Sequence, residues 1–255
     1  MVVYLCSLQT LVKRTCLFAA AGLWLVAVAL PVAAQNTAGV FGPNITPNSE
    51  ALEWRLSVAP GSDGRSDRVA SRLHYQSTVT DDLRLRAVLQ GADELAADSD
   101  FDFDFFQFEA QWQFRHAETS GWDSALRLDL QLAEGRADLL GLNWTSDFQL
   151  GGPWRARTVL LTGVQLGPQR RDGLFLQTRA SLGYAISGST QLQLQSFNIY
   201  GTTDGFGDFS DQNHAFGPAV SGKFAGRWSY EAGLLFGLTN ATADTDFRLF
   251  ISRSF

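Results

Sequence analysis

The sequence predicts an all-β fold, an antiparallel transmembrane β-barrel of about twelve strands. Three observations predict it. Apolar and polar residues alternate with a period of two through most of the chain beyond residue 49, the pattern of strands with one oily and one polar face. No stretch there approaches the roughly 20 consecutive apolar residues that a spanning helix needs. The connections between alternating segments come in a longer and a shorter class that take turns along the chain, as barrel loops and turns do.

The first 34 residues read as a secretory signal peptide. Lys13 and Arg14 form a short basic region, Cys16 to Leu30 is an apolar run, Pro31 breaks it, and Val32-Ala33-Ala34 supplies small residues for cleavage after about Ala34. The run is too short for a membrane helix, and Lys13-Arg14-Thr15 before Cys16 is no lipobox. Both cysteines, Cys6 and Cys16, leave with this segment, so no disulfide or cysteine metal site is expected. Losing Lys13 and Arg14 takes the formal charge from −6 to −8, which argues against nucleic acid as a partner. Residues 35–49, rich in Gly, Pro and Asn, read as an irregular periplasmic lead-in. Residues 50–255 read as the barrel.

Twelve alternating segments follow. The first presents Leu52, Trp54, Leu56 and Val58 to lipid. The fourth presents Phe106, Phe108, Ala110, Trp112 and Phe114, with a phase slip near Phe105 that suggests a bulge. The eleventh presents Trp228, Tyr230, Ala232, Leu234, Phe236 and Leu238. The ninth is the weakest: Leu192 and Leu194 fit, but Phe197 and Ile199 switch face, so ten or fourteen strands also stay open. With both termini periplasmic, the outer loops are 59–67, 91–100, 133–137, 167–172, 201–213 and 239–245. The periplasmic turns are 80–82, 116–121, 151–152, 187–189 and 225–227. Phe114, Trp122, Phe148, Trp154, Tyr184, Trp228 and Phe255 gather at the turn end, where an aromatic girdle belongs because such side chains prefer the membrane–water interface.

The alternate positions give the lumen. Arg55, Arg72, Arg84, Arg86, Arg115, Arg127, Arg155, Arg157, Arg179 and Arg248, with Lys223, face Glu53, Glu109, Asp129, Asp147 and Glu231. Gln111, Gln113 and Gln193 belong to a glutamine ladder on the same face. The lumen is therefore expected to be cationic in an acidic protein, whose negative charge sits in the outer loops. Guanidinium groups on a low-dielectric wall attract anions and bind carboxylates in a two-pronged way, and amides suit polar solutes. The acidic loop Asp98 to Asp104 lacks the spacing and the turn glycine of a calcium loop and reads as solvated. No cofactor and no metal are expected.

The tail Phe247 to Phe255 alternates up to a terminal phenylalanine. It resembles the closing strand of a Gram-negative outer-membrane β-barrel, and that resemblance implies residence in the cell outer membrane, contact with its lipid, and Phe255 as the signal read by the barrel assembly machinery. Tyr230-Glu231-Ala232-Gly233-Leu234-Leu235-Phe236-Gly237-Leu238-Thr239-Asn240-Ala241-Thr242-Ala243-Asp244 and the final strand resemble the C-terminal hairpin of the phenol-degradation MetA-pathway family, which implies a channel or uptake role. The arginine-rich lumen is also similar to that of twelve-stranded porins for acidic oligosaccharides, without a shared motif.

Two functions stand: a passive channel or uptake porin favouring anionic or polar small solutes, and a closed structural or surface-interaction barrel with a plugged lumen. A barrel lipase or protease is the third reading. Such enzymes need a histidine beside a serine or an acidic pair, and His74, His116 and His214 lie in no such sequence arrangement, apart from a loose match of His214 with Asp208 and Asp211.

Overall fold

The computed structural model describes residues 37–61, 66–94 and 101–255. The signal-peptide reading, and Asp63, Asp98 and Asp100 of the loops, lie outside the described residues. Twelve strands run in order: β1 Glu50–Ala59, β2 Arg68–Thr80, β3 Leu83–Glu94, β4 Asp102–Arg115, β5 Trp122–Ala133, β6 Asp138–Gly151, β7 Trp154–Leu166, β8 Leu174–Ala185, β9 Thr190–Thr202, β10 Asn213–Phe224, β11 Trp228–Gly237 and β12 Thr245–Ser254. Each pairs antiparallel with its sequence neighbour, and β1 closes on β12 from Ala51 opposite Ser254 to Val58 opposite Phe247. Closure removes the edges, so the strand amides can be paired without water.

The outer surface is apolar because the alternation is in phase with the pleat. Leu128, Leu142 and Trp144 are 51%, 54% and 47% exposed, while their neighbours Arg127, Asn143 and Thr145 are buried. This is the inverse of a soluble protein and suits a hydrocarbon solvent. The girdle forms as cross-strand pairs at the short-turn end: Trp122 stacks on Phe148 at 5.4 Å, Trp154 meets Tyr184 edge-on at 4.9 Å, and Phe224 stacks on Trp228 at 6.0 Å. The expected slip near Phe105 is a register shift, where Gln90 faces Phe105 and Gly91 faces Phe103. A helical turn, Ala117–Ser120, occupies the longest of the expected periplasmic turns.

Two features differ from the alternation pattern. Strand β9 keeps its phase against β10 throughout, so Phe197 points inward and Asn198 outward without a slip: the polarity inverts, not the strand. Pro218 lies within β10, and the β10–β11 ladder skips Gly217 and Pro218 while holding the same register on either side. Proline has no N–H to offer that ladder.

Residues 37–49 form no helix, and strand structure begins only at Glu50, as expected, but they are not a periplasmic lead-in over 37–45: that stretch lies inside the barrel. Alternation cannot reveal this, because what the segment offers the wall is its bare backbone carbonyls.

Candidate functional site

The lumenal segment is held carbonyl by carbonyl. Arg55 of β1 donates to the Thr37 carbonyl at 3.0 Å and Arg248 of β12 to that of Ala38 at 2.9 Å. Arg179 of β8 donates to the Gly39 carbonyl and Arg157 of β7 to that of Val40, both at 3.0 Å. The Thr145 hydroxyl of β6 donates to the Phe41 carbonyl at 2.8 Å. Gln111 of β4 donates to the carbonyls of Gly42 and Pro43, and Gln113 accepts the Ile45 N–H at 2.7 Å. Six strands thus grip seven successive carbonyls. An unpaired buried carbonyl costs about 1–3 kcal/mol, so a chain without regular structure can cross a lumen only where the wall supplies donors. Gly42 allows the closest approach: a β-carbon there would meet Arg157 Cζ at 2.9 Å.

Around this segment the charges pair with one another, in two networks between β3 and β7 and in the pairs Arg55–Glu53 at 2.7 Å and Arg248–Glu231 at 3.6 Å. Glu109 accepts from Arg86 at 2.9 Å and lies 3.3 Å from Arg127, which pairs with Asp129 at 2.7 Å. Asn143 and Gln107 also donate to Asp129. These side chains are all buried. Asp147 is shared by Arg155 at 3.0 Å and Arg157 at 2.6 Å. Arg72 and Arg84 bond to the amides of Gln90 and Gln111, and Arg115 lies over the Trp122 ring at 4.2 Å. Gln193 bonds to Ser221 and Gln195, and Gln195 accepts from Arg248.

The structure therefore brings most of the sequence-predicted residues together, chiefly with one another and with residues 37–45. Arg115 is the exception, because the register shift after Gln113 pairs it with Ser124 on the outward face, over the girdle ring of Trp122. Asp104, Asp123 and Asp246 were missed. Asp104 accepts from Gln90, Asp123 from Gln113, and Asp246 from Ser57, so each reduces the positive excess inside. Asp104 sits at the bulge, Asp123 at a strand start and Asp246 near one, where alternation is least informative.

A cavity of about 900 Å³ lies on the short-turn side of the segment. Arg55, Arg84, Arg86, Arg155, Arg157 and Lys223 line it, against Glu53 and Glu231 alone among the acidic groups of the described residues. Its lining reaches Gly151, Pro153, Ser187 and Ser189, so it opens at that end.

Opposite the charged network the lumen is apolar. Val159, Leu161, Phe197, Ala215 and Leu235 pack with Val40 and Phe41 in one buried cluster. The Arg127 guanidinium lies 3.6 Å from the centre of the Phe41 ring, and Arg248 lies 4.6 Å from that of Phe197. On the outside of the same strands, Asn198 donates to Thr178 and Ser196, and Tyr200 bonds to Thr178. His214 stacks on Phe209 at 4.6 Å and contacts Asn198 and Gln212. His74 is buried 3.3 Å from Glu53, and His116 lies 3.0 Å from Asp82. The histidines thus contact carboxylates, amides and rings.

The fold is a closed twelve-stranded antiparallel β-barrel, and it is similar to the folds of solved outer-membrane barrels. The chain is similar in structure to the COG4313 outer membrane channel from Pseudomonas putida F1, with a TM-score of 0.66 and 12% identity over 84% of this chain and 97% of that one. It is similar to the KdgM porin, solved in complex with disordered oligogalacturonate, with a TM-score of 0.59 and 9% identity over 80% and 99%. It is also similar to the NanC porin, with a TM-score of 0.58 and 9% identity over 79% and 98%. No family model matches the chain, and no curated protein does. The resemblance of residues 230–255 to the MetA-pathway family therefore rests on those residues alone.

Proposed function

We propose that this protein is a passive outer-membrane channel for small anionic or polar solutes, entered from the periplasmic side through the arginine-lined cavity and narrowed at mid-height by residues 37–45. Six cations line that cavity, against Glu53 and Glu231 in its lining and Glu109 and Asp147 behind Arg86, Arg155 and Arg157, and the positive excess that is left carries the reading. In a site walled by low-dielectric strands such an excess concentrates anions and repels cations. The structural likeness to three channels agrees with it. Under this reading Arg55, Arg84, Arg86, Arg155 and Arg157 contact solute directly, and Arg72, Arg127, Arg179, Arg248, Gln111, Gln113 and Gln193 shape the path.

The carbonyl grip on residues 37–45 favours a second reading, a barrel that stays closed and acts through its outer loops. One experiment separates the two. The protein is reconstituted in a planar bilayer, and its reversal potential is measured across a salt gradient. A channel gives unitary currents with anion preference, and the preference falls when Arg84 and Arg155 become alanine. Folded, inserted protein that carries no current supports the closed barrel.

A further inference from the structure

The apolar cluster is a part of the lumen that no anion path requires. The facing wall carries mostly Arg, Gln, Asp and Glu, yet Val159, Leu161, Phe197, Ala215 and Leu235 close with Val40 and Phe41 into one buried apolar cluster, with Arg179 of β8 set between Val159 and Phe197. Water gains nothing from such a surface, and what fills it now is two side chains of this chain's own lumenal segment, Val40 and Phe41. Oxygen recognition lies directly beside it. Arg179 and Arg157 hold the carbonyls of Gly39 and Val40, and Arg127 covers the Phe41 ring. The buried Arg248, stacked on Phe197, has an Nε atom without a hydrogen-bond partner. The site thus reads two things at once: an apolar ring on one side and anionic or carbonyl oxygens on the other.

We propose that the pocket filled by Val40 and Phe41 is a binding site for amphipathic organic anions, molecules with one carboxylate and a compact apolar or aromatic body, and that such a ligand binds by displacing residues 38–41. The proposal rests on the reading of the lumen as a solute path and names a substrate class for it. A carboxylate offers the arginines a charge-assisted bond in place of the neutral carbonyls they now hold. An apolar body replaces the Phe41 ring under Arg127, where the cation–π contact persists. A hydroxyl-rich acid of the same charge cannot do this, because its hydroxyls would lie unpaired against Leu161, Phe197 and Leu235.

The test uses phenylacetate, an aromatic ring with a carboxylate attached, against galacturonate, an acid of equal charge and many hydroxyls. The full chain carries Val40→Cys, with Cys6 and Cys16 changed to serine, and is reconstituted in vesicles. Labelling of the introduced thiol by a small neutral maleimide is followed with each acid. Phenylacetate is expected to accelerate labelling at concentrations about tenfold below any effect of galacturonate, a difference of about 1.4 kcal/mol. In the unsubstituted chain it is expected to alter the unitary current with the same preference. Equal effects of the two acids would leave charge alone as the determinant and overturn the proposal, as would no effect of either. Neither result bears on the reversal potential, so the anion channel can fail or stand separately.

Discussion

Two walls of the lumen touch the same residue, Phe41, with opposite chemistry. The wall of β3 to β6 is a saturated ionic network, with Arg86, Glu109, Arg127, Asp129 and Asn143 joined at hydrogen-bond distance. The wall of β7, β9, β10 and β11 at that place is hydrocarbon, with Val159, Leu161, Phe197, Ala215 and Leu235, and Arg179 of β8 is set into it. The difference shows what holds residues 37–45. Their carbonyls satisfy donors from many strands, while Val40 and Phe41 bury apolar surface that water would otherwise cover. A chain with only one of these properties would fit one wall and leave the other uncompensated.

The comparison can be broken from either side. The largest effect is expected from Glu109→Ala, which leaves Arg86 and Arg127 buried with half their partners. Removing one member of a buried ionic cluster costs about 3–5 kcal/mol, so the urea midpoint of the reconstituted barrel should fall sharply. On the apolar wall, Phe41→Ala should cost about 3 kcal/mol through the lost ring and the cavity it leaves, and should raise the unitary conductance as well. A fall in stability without a change in conductance would mean that Phe41 is packing only. On the exterior, Leu128→Arg places a charge at mid-strand facing lipid and should cost about 2–4 kcal/mol in bilayers. No cost there would contradict the assignment of that face. The smallest stability effect is expected at Arg155, whose side chain is 44% exposed and whose partner Asp147 keeps Arg157. Arg155→Ala should change stability by less than about 1 kcal/mol while lowering anion preference, which separates a conducting role from a structural one.

The fold was largely legible in the sequence because a barrel writes its inside and outside into alternate residues. Leu128 against Arg127 and Leu142 against Asn143 are local facts that survive into the structure unchanged. The loops were legible for the same reason, since each marks an interruption of the alternation. What was not legible is where the rule of polarity changes while the phase does not. Phe197 and Asn198 look like a slipped strand, yet they are an apolar lumen patch and a hydrogen-bonded outer cluster in unbroken register with β10. The position of residues 37–45 was hidden more deeply. Its partners, from Arg55 to Arg248, are spread over almost the whole chain, and the groups they hold are backbone carbonyls, which every sequence has. The alternation puts the arginines other than Arg115 on the lumen face, but it carries no trace of their occupation by this segment.

The most direct measurement is the unitary conductance of the full chain beside a variant from which residues 37–45 are excised, both shown to be folded and inserted. If the segment sets the narrowest part of an anion path, excision should raise conductance several-fold and keep the anion preference of the arginine wall. Equal conductance in the two proteins would contradict the account, because the path would then not run where the segment lies.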